Sequence, residues 1–425
     1  MIEWIFFLSF IAFIIIRLPI GFALGFSSLI YLVGSDITLQ VIPQIMITTF
    51  DSFVLLAIPL FMLAGQLMNS GGITDKIFSF ANKLVGHIKG GLSHVNVVAS
   101  MIFAGMSGSA VADAAGLGQI EIKAMVEEGF DPDFSAAITA ASSTIGPIIP
   151  PSIPFVIYGS LTGTSIGALF IAGAIPGLLM GLFLMFTCYI ISVKRGYPSH
   201  KRASIKELAI SFIKAVPSLL TPIIIIGGIL FGVFTPTEAA AVAVIYALIL
   251  GILIYKEIKL RDLLGILLDV GKNIASIMFI VSTATVFGWI LTYQGIPQRI
   301  ADLLLSITHN IYLILLLINL LLLLVGCFME TIAAQLVLIP VLVPIIDTLG
   351  IDRVQFGVII TLNLMIGLIT PPVGVCLYIV SNIAKISFER TVKATLPFVL
   401  VLIIVLMLIT YIPSISTFLP KLLLN

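Results

Sequence analysis

Residues 142–152 read SSTIGPIIPPS, and residues 363–373, which lie 221 positions further along the chain, read NLMIGLITPPV. Each stretch lies in a long apolar run and carries a glycine four residues before a Pro-Pro pair. Proline lacks an amide proton and its ring clashes with the preceding helical turn, so an α-helix cannot continue unbroken through two prolines. The sequence therefore predicts two apolar helices that are each interrupted in the middle.

The two interruptions belong to a longer internal repeat. Residues 105–176 align without a gap on residues 326–397, and the matches include a Gly-Asp turn as well as the Gly and Pro-Pro positions. In each copy, two short apolar pieces flank a polar patch, at 107–109 and at 327–331. A helix of about 15 residues spans ~22 Å, less than the ~30 Å hydrocarbon core of a bilayer. We therefore expect two re-entrant helical hairpins whose tips stop inside the membrane.

The composition assigns the chain to the membrane. Of its 425 residues, 60% are hydrophobic and 10% are charged, whereas soluble domains contain roughly 45–50% apolar and about 25% charged residues. The charge-free runs, such as 134–193 and 394–420, exceed the ~20 residues that one membrane-spanning helix needs. We expect an all-α polytopic membrane protein with about ten or more transmembrane helices. The near balance of 21 cations and 20 acids gives no reason to expect a nucleic-acid partner.

Two basic loops predict the orientation of the chain. Residues 194–214 and 256–272 together hold 10 of the 21 lysines and arginines. Lysine and arginine are enriched in cytoplasmic loops. Both loops are therefore expected in the cytoplasm, with 215–255 crossing the membrane twice and turning near residues 234–238.

The repeat divides the chain into five predicted parts. Two of them are transport segments, each with a hairpin followed by a broken helix, and the other three are scaffold, linker and C-terminal membrane segments. The predicted bounds are scaffold 1–91, first transport segment 92–177 (hairpin 92–128, broken helix 134–165), linker and scaffold 178–310, second transport segment 311–397 (hairpin 311–347, broken helix 354–385) and C-terminal segment 398–425.

The interruptions predict a binding site for ions and substrate. Irregular backbone at membrane depth is tolerated around a polar cavity or inside protein, and repeated Gly/Pro-interrupted segments mark the binding site of secondary transporters. We predict two Na⁺ sites, each formed by a hairpin tip and its own break, with an organic anion between the tips. The first Na⁺ site is placed near Ser107, Ser109 and Gly146, and the second near Thr331, Gly367 and Thr370.

Each candidate has a structural alternative. Small Ser and Gly residues also permit close helix packing, Asp113 also suits the dipole of a helix start, and Glu330 is equally an ion-linked or a structural acid. Glu238 is predicted to be structural and to hold the turn at 235–237. No catalytic residue is predicted, because the histidines are scattered and no P-loop, HExxH or GxSxG motif occurs. The candidate ion- and substrate-binding residues are Ser107, Gly108, Ser109, Asp113, Gly146, Pro150, Pro151, Glu330, Thr331, Gly367, Thr370, Pro371 and Pro372.

Five ordered motifs resemble one known family. They are the stretches at 50–72 (FDSFVLLAIPLFMLAGQLMNSGG), 107–118 (SGSAVADAAGLG), 146–159 (GPIIPPSIPFVIYG), 234–243 (FTPTEAAAVA) and 367–374 (GLITPPVG). They resemble the large membrane subunit (DctM-like) of TRAP transporters. The resemblance implies a Na⁺-coupled importer of organic acids in the bacterial inner membrane, with inverted repeats, an elevator mechanism and no organic cofactor. It also implies two partners, a small four-helix membrane subunit (DctQ-like) and a periplasmic substrate-binding protein (DctP-like).

The resemblance places the family's ion and substrate region on residues already singled out. In the first half it falls on Ser107, Ser109, Asp113 and 146–151, and in the second half on Glu330, Thr331 and 367–372. Three alternatives stay open: a self-sufficient Na⁺/carboxylate symporter of a related hairpin fold, an intramembrane enzyme such as a lipid transferase, and a passive channel.

Overall fold

The computed structural model describes residues 2–35 and 37–424, apart from the side chains of Leu304 and Ile307. This part of the chain is helical and contains no strand. Seven helical stretches in it are long and apolar enough to cross a membrane, and shorter apolar helices lie between them. The prediction of an all-α membrane protein is thereby confirmed.

The chain begins with five helices, which lie in the segment predicted to be scaffold. Helices α1 and α2 pack on each other, with the rings of Phe6 and Tyr31 5.5 Å apart. Arg17, in the turn between them, has a φ of +63°. The helices are α1 (Ile2–Ile15), α2 (Ile20–Val33), α3 (Val41–Phe50), α4 (Ala57–Ser70), which follows a 3₁₀ turn at Phe53–Leu56, and α5 (Ile73–Val85).

The first repeat forms a compact group of four helices, which we call the first module. It comprises α6 (Gly91–Ser107), α7 (Ala110–Glu127), α8 (Pro132–Ser143) and α9 (Ile153–Thr162). Helices α6, α7 and α8 pack on one another. Between α8 and α9 the helix is broken over residues 144–152, which we call the first break. Helices α10 (Ile166–Ala172) and α11 (Ala174–Arg195) follow.

The middle of the chain links the two repeats. Glu238 closes a capping box at the start of α13, where its Oε2 accepts a hydrogen bond from the Thr235 amide at 2.8 Å. Helix α14 packs against α2, α3 and α4 of the scaffold and against α17 of the second repeat. The helices are α12 (Ile205–Leu230), α13 (Pro236–Leu248) with a π-helical end at Ile249–Ile254, α14 (Leu260–Tyr293) and α15 (Ile296–Ile307).

The second repeat builds a corresponding group, the second module. It comprises α16 (Ile311–Gly326), α17 (Thr331–Thr348), α18 (Arg353–Gly367) and α19 (Val375–Ala384), and the second break covers residues 368–374. Helices α20 (Phe388–Tyr411) and α21 (Ser414–Leu423) end the chain. The modules interlock, because α19 packs against α7 and α8 while α9 packs against α17 and α18.

Each module contains a buried pair of polar side chains that are hydrogen-bonded to each other. In the first, Ser142 Oγ donates to Asn96 Oδ1 at 2.7 Å. In the second, Asn363 Nδ2 donates to Asn319 Oδ1 at 2.5 Å. All four residues are buried, and Ser142 corresponds to Asn363 under the 221-residue shift (142 + 221 = 363). Buried polar groups are stable when they bond each other, so each pair joins the first hairpin helix of its module to the broken helix.

Candidate functional site

The first tip, residues 107–109, is a tight turn between α6 and α7. Gly108 has a φ of +60°, a left-handed conformation that favours glycine. Ser109 caps α7 by accepting a hydrogen bond from the Ala112 amide at 3.4 Å. Ser107 Oγ donates a hydrogen bond to Asp113 Oδ1. The cap of α7 is thus Ser109, and the Asp113 side chain is directed back to the tip.

The first tip lies against the first break. A Cβ atom at Gly108 would come within 2.7 Å of the Pro151 carbonyl oxygen. Ser152 ends the break by capping α9, with the Phe155 amide 3.2 Å from its Oγ. The tip and the break therefore meet backbone to backbone, a contact that only glycine permits at position 108.

Asp113 also faces the first break. Its side chain is 1% exposed, and its Oδ2 atom has no hydrogen-bond partner within residues 2–35 and 37–424. A Cβ atom at Gly146 would collide with this oxygen. A buried carboxylate oxygen without a donor is costly unless a cation or a proton meets it. The geometry around Asp113 and Gly146 therefore fits a cation ligand.

The second tip, residues 327–330, is built differently. Glu330 caps α17, because its Oε2 accepts hydrogen bonds from the amides of Ile332 at 2.9 Å and Ala333 at 3.3 Å. The hydroxyl oxygen of Thr331 is buried and has no partner among the described residues. The start of α17 thus offers the hydroxyl oxygen of Thr331, which has no partner, beside the capping carboxylate of Glu330 in the second tip.

The second tip also lies against its own break. Gly326 and Gly367 touch, and a Cβ atom at Gly367 would overlap the Gly326 backbone. The Val373 amide donates to the Cys327 carbonyl at 3.2 Å. Thr370 Oγ1 donates to the Ile366 carbonyl at 2.7 Å.

The two breaks lie in different surroundings. Both diproline peptide bonds are cis. The Pro150-Pro151 pair is buried, whereas the Pro371-Pro372 pair is exposed. The two copies of the motif therefore differ in the exposure of their prolines.

One cavity of about 700 Å³ brings the two tips together. Its lining includes Ser107 and Ser109 from the first tip and Glu330 from the second. The opposite wall comes from scaffold helices. Its polar members are Gln66 and Asn69 on α4 and Asn273 and Ser276 on α14.

The other predicted site residues lie in the tips, next to them or in the breaks. They are outside the cavity lining found in the described residues, although Asp113 is bonded to the first tip through Ser107. The full set is Gly108, Asp113, Gly146, Pro150, Pro151, Thr331, Gly367, Thr370, Pro371 and Pro372.

The sequence analysis missed the polar side chains of the scaffold wall. Gln66 and Asn69 lie three residues apart on α4, and Asn273 and Ser276 lie three residues apart on α14. Residues at i and i+3 share one face of a helix. The signal was therefore a pair of uncharged polar residues at helical spacing inside a charge-free run.

The described residues contain no group of three or more His, Cys, Asp or Glu side chains that would hold a metal ion. The thiols are free, with Cys188 and Cys376 buried and Cys327 half-buried in the second tip.

The comparisons with known proteins agree with this architecture. The family model described as "Tripartite ATP-independent periplasmic transporter, DctM component" matches residues 7–415. The chain is 50% identical to the sialic acid TRAP transporter large permease protein SiaM of Vibrio cholerae over 96% of both chains. It is 43% identical to the C4-dicarboxylate TRAP transporter large permease protein DctM of Pseudomonas aeruginosa, covering 88% of this chain and 87% of that one.

A solved structure shares the fold. The YdaH transporter of Alcanivorax borkumensis superposes with a TM-score of 0.67 at 14% identity and covers 86% of both chains. The sequence relatives are transporter permeases and not enzymes, as expected, and the family works with a small subunit and a periplasmic binding protein. The chain is a multi-pass membrane protein and belongs to the DctM component family, the large permease subunits of tripartite ATP-independent periplasmic transporters.

Proposed function

We propose that this subunit couples the inward movement of Na⁺ to the import of an organic acid across the bacterial inner membrane. The observation that supports this most directly is the shared cavity, because both tips line it and each tip contacts its own break. In this proposal the two ion sites lie beside one substrate site, so that the binding of ions and substrate is coupled.

The proposed Na⁺ sites rest on oxygens that lack partners. Asp113 Oδ2 is buried beside the first break, and Thr331 Oγ1 is buried beside the second tip. Carbonyl groups left free by a broken helix supply further oxygen ligands of the kind that coordinate Na⁺ in discontinuous membrane helices. Na⁺ is the cargo at both sites, and its binding holds each tip against its break.

The cavity lining indicates how the acid is held. No lysine or arginine lines the cavity in the part of the chain that the structure describes. The substrate carboxylate is therefore met by amides at the N-terminus of α7, where the helix dipole favours negative charge. The N-terminal amides of α17 already bond the Glu330 carboxylate. The amide side chains of Gln66, Asn69 and Asn273 suit substrate hydroxyl groups. A hydroxylated acid fits this wall, and the similarity to the sialic acid permease points the same way.

We propose an elevator movement for this transport. The interlocked modules form the moving body, with the hairpins entering the membrane without crossing it, and α4 and α14 form the fixed wall. The cavity reaches Val270 and Asn273, at the C-terminal end of the basic segment 256–272. Because basic segments lie in the cytoplasm, we propose that this cavity is open to the cytoplasmic side.

The test is uptake into proteoliposomes that contain this chain with its small subunit and binding protein. We expect saturable uptake of sialic acid or a C4-dicarboxylate that requires an inward Na⁺ gradient. The Ser107→Ala/Ser109→Ala variant should weaken the Na⁺ dependence more than protein abundance, while Ser306→Ala, at an exposed serine on α15, should not. Uptake without the binding protein would favour a self-sufficient symporter, and flux without saturation or ion dependence would favour a channel.

A further inference from the structure

The first module contains a second buried carboxyl group, which the proposed transport mechanism does not use. Glu121 lies on α7 and is 0% exposed. Neither of its carboxyl oxygens has a hydrogen-bond partner among the described residues. A charged carboxylate in such surroundings carries a large desolvation cost, whereas a protonated one is neutral.

Helix packing closes the site around Glu121. Helix α7 packs against α6, α8 and α19. At Gly118, one turn before Glu121, a Cβ atom would lie 3.2 Å from Thr139 Cγ2 and 3.5 Å from Ile383 Cδ1. In the second module the corresponding position (121 + 221 = 342) is Leu342, which is also buried. The position is therefore an interior one in both modules, and only the first module carries an acid there.

The titratable groups on the surrounding helices leave Glu121 without a counterion. His94 on α6 lies 3.1 Å from the Lys89 carbonyl. Asp133 on α8 is 3.6 Å from both Arg195 and Arg390. The titratable residues of α19 are Cys376 and Tyr378, and the nearest acid on α7 towards the tip is Asp113, about 12 Å away along the helix axis.

Divalent cations such as Ca²⁺ and Mg²⁺ need several oxygen ligands, and the described residues around Glu121 form no group of three or more His, Cys, Asp or Glu side chains. Unlike Asp113, which faces the first break, Glu121 lies inside the unbroken helix α7. We propose that Glu121 is a proton-binding site inside the first module and that its carboxyl group holds a proton in the state seen here. This proposal goes beyond the proposed transport function and does not depend on it.

The proposal has a thermodynamic consequence. The folded module holds one proton that the unfolded chain, with an exposed glutamate, releases above about pH 4. The equilibrium constant for unfolding therefore rises by up to about tenfold for each unit by which the pH is raised, because this one proton is released on unfolding. Replacing Glu121 with glutamine, which resembles the neutral acid in shape, removes this dependence.

The experiment is infrared spectroscopy of the full chain, because the C=O stretch of a protonated carboxyl group lies at a higher frequency than the stretches of carboxylates and of the glutamine amide. At pH 7 we expect this band in the wild type and in Glu127→Gln, which changes an exposed acid of the same helix. In Glu121→Gln the band should lose the share of one carboxyl group, and any remainder comes from Asp113, the other fully buried acid of the described residues. Thermal unfolding between pH 6 and pH 9 should be less pH-dependent in Glu121→Gln than in either of the other two proteins.

Two results would overturn the proposal. One is a spectrum in which Glu121→Gln keeps the whole band. The other is a wild-type band that disappears at the pH at which exposed carboxyl groups ionise, a measurement that needs no variant and stays decisive if Glu121→Gln does not fold. Neither measurement involves transport, so failure here is distinguishable from failure of the proposed uptake.

Discussion

The hydroxyl group of Ser107 donates a hydrogen bond to Asp113 across the turn between α6 and α7, and the second carboxyl oxygen of Asp113 faces Gly146 in the first break. Two parts of the first module thus meet at one side chain. We expect Asp113→Asn to keep the bond from Ser107, since an amide oxygen also accepts, but to replace the free oxygen with a donor. The apparent Na⁺ affinity should fall by about tenfold or more, equivalent to ~1.4 kcal/mol.

A Na⁺ titration followed by thermal shift measures this effect. Glu127→Gln, at an exposed position of the same helix, is the matched control and should leave the Na⁺ midpoint unchanged. If Asp113→Asn lowers thermal stability while its Na⁺ midpoint stays at the wild-type value, Asp113 is a structural residue and not an ion ligand.

The contact between Gly326 and Gly367 supports a second prediction. Gly367→Ala places a methyl group on the Gly326 backbone, and overpacking of this kind costs about 1–3 kcal/mol. The variant should unfold at a lower temperature and lose Na⁺-dependent stabilisation, because the second tip is forced away from its break.

Gly271→Ala is the control for this change. Gly271 lies inside α14 with open space around it, and alanine stabilises a helix interior by roughly 0.5–1 kcal/mol relative to glycine. Thermal unfolding of both variants, with and without Na⁺, separates the two cases. If the two variants have the same unfolding temperature and the same stabilisation by Na⁺, the contact between the second tip and its break contributes to neither.

The paired Asn96 and Ser142 are expected to be energetically coupled. Ser142→Ala leaves the buried Asn96 Oδ1 without its donor, which costs about 1–3 kcal/mol. The double variant Asn96→Ala/Ser142→Ala should therefore cost less than the sum of the single variants, with a coupling of roughly 0.5–3 kcal/mol. Chemical unfolding of the four proteins gives this number. Strict additivity would mean that the pair does not join α6 to α8.

A surface cluster at the base of the first module predicts a pH effect. Tyr197 donates to Asp131 Oδ2 at 2.6 Å and Arg195 donates at 2.8 Å. The bond from Tyr197 is the main cause of a lowered pKa at Asp131, followed by the bond from Arg195 and its positive charge. The stabilisation is therefore full above the ordinary aspartate pKa of about 4 and is lost as the pH falls through the lowered value.

Tyr197→Phe removes this bond. Because Asp131 is exposed, the loss at pH 7 should be at most about 1 kcal/mol. It should vanish only below the lowered pKa of Asp131, where the carboxyl group is protonated in both proteins. Thermal unfolding against pH measures it, with Tyr189→Phe, at an exposed tyrosine of α11, as the control. A difference that persists at acid pH would indicate lost packing in place of lost charge stabilisation.

Local chemistry made the helix interruptions predictable from the sequence. Pro-Pro and glycine act within one turn of helix, so the ends of α8 at Ser143 and of α18 at Gly367 follow from residues next to them. For this reason the hairpin helices α6 and α7 also lie close to the bounds of the predicted hairpin 92–128, on either side of the polar patch 107–109.

The burial of Glu121 could not be predicted in the same way. It depends on α19 packing against α7, and these helices are separated by about 250 residues of chain. The scaffold wall is a partly similar case, since Gln66 and Asn273 meet at one cavity only after the chain between them, which includes the first repeat, has folded. Local spacing shows that each polar pair shares a helix face, but not that the two faces line one cavity.

Cys327 is a natural attachment point for a fluorescent probe at the second tip. Its carbonyl oxygen holds the exposed end of the second break through Val373, while the remaining two cysteines are buried. A thiol-reactive fluorophore should therefore label this one site in the natural sequence. Its emission would follow the detachment of the tip from the diproline segment during turnover, in a protein that needs no engineered cysteine.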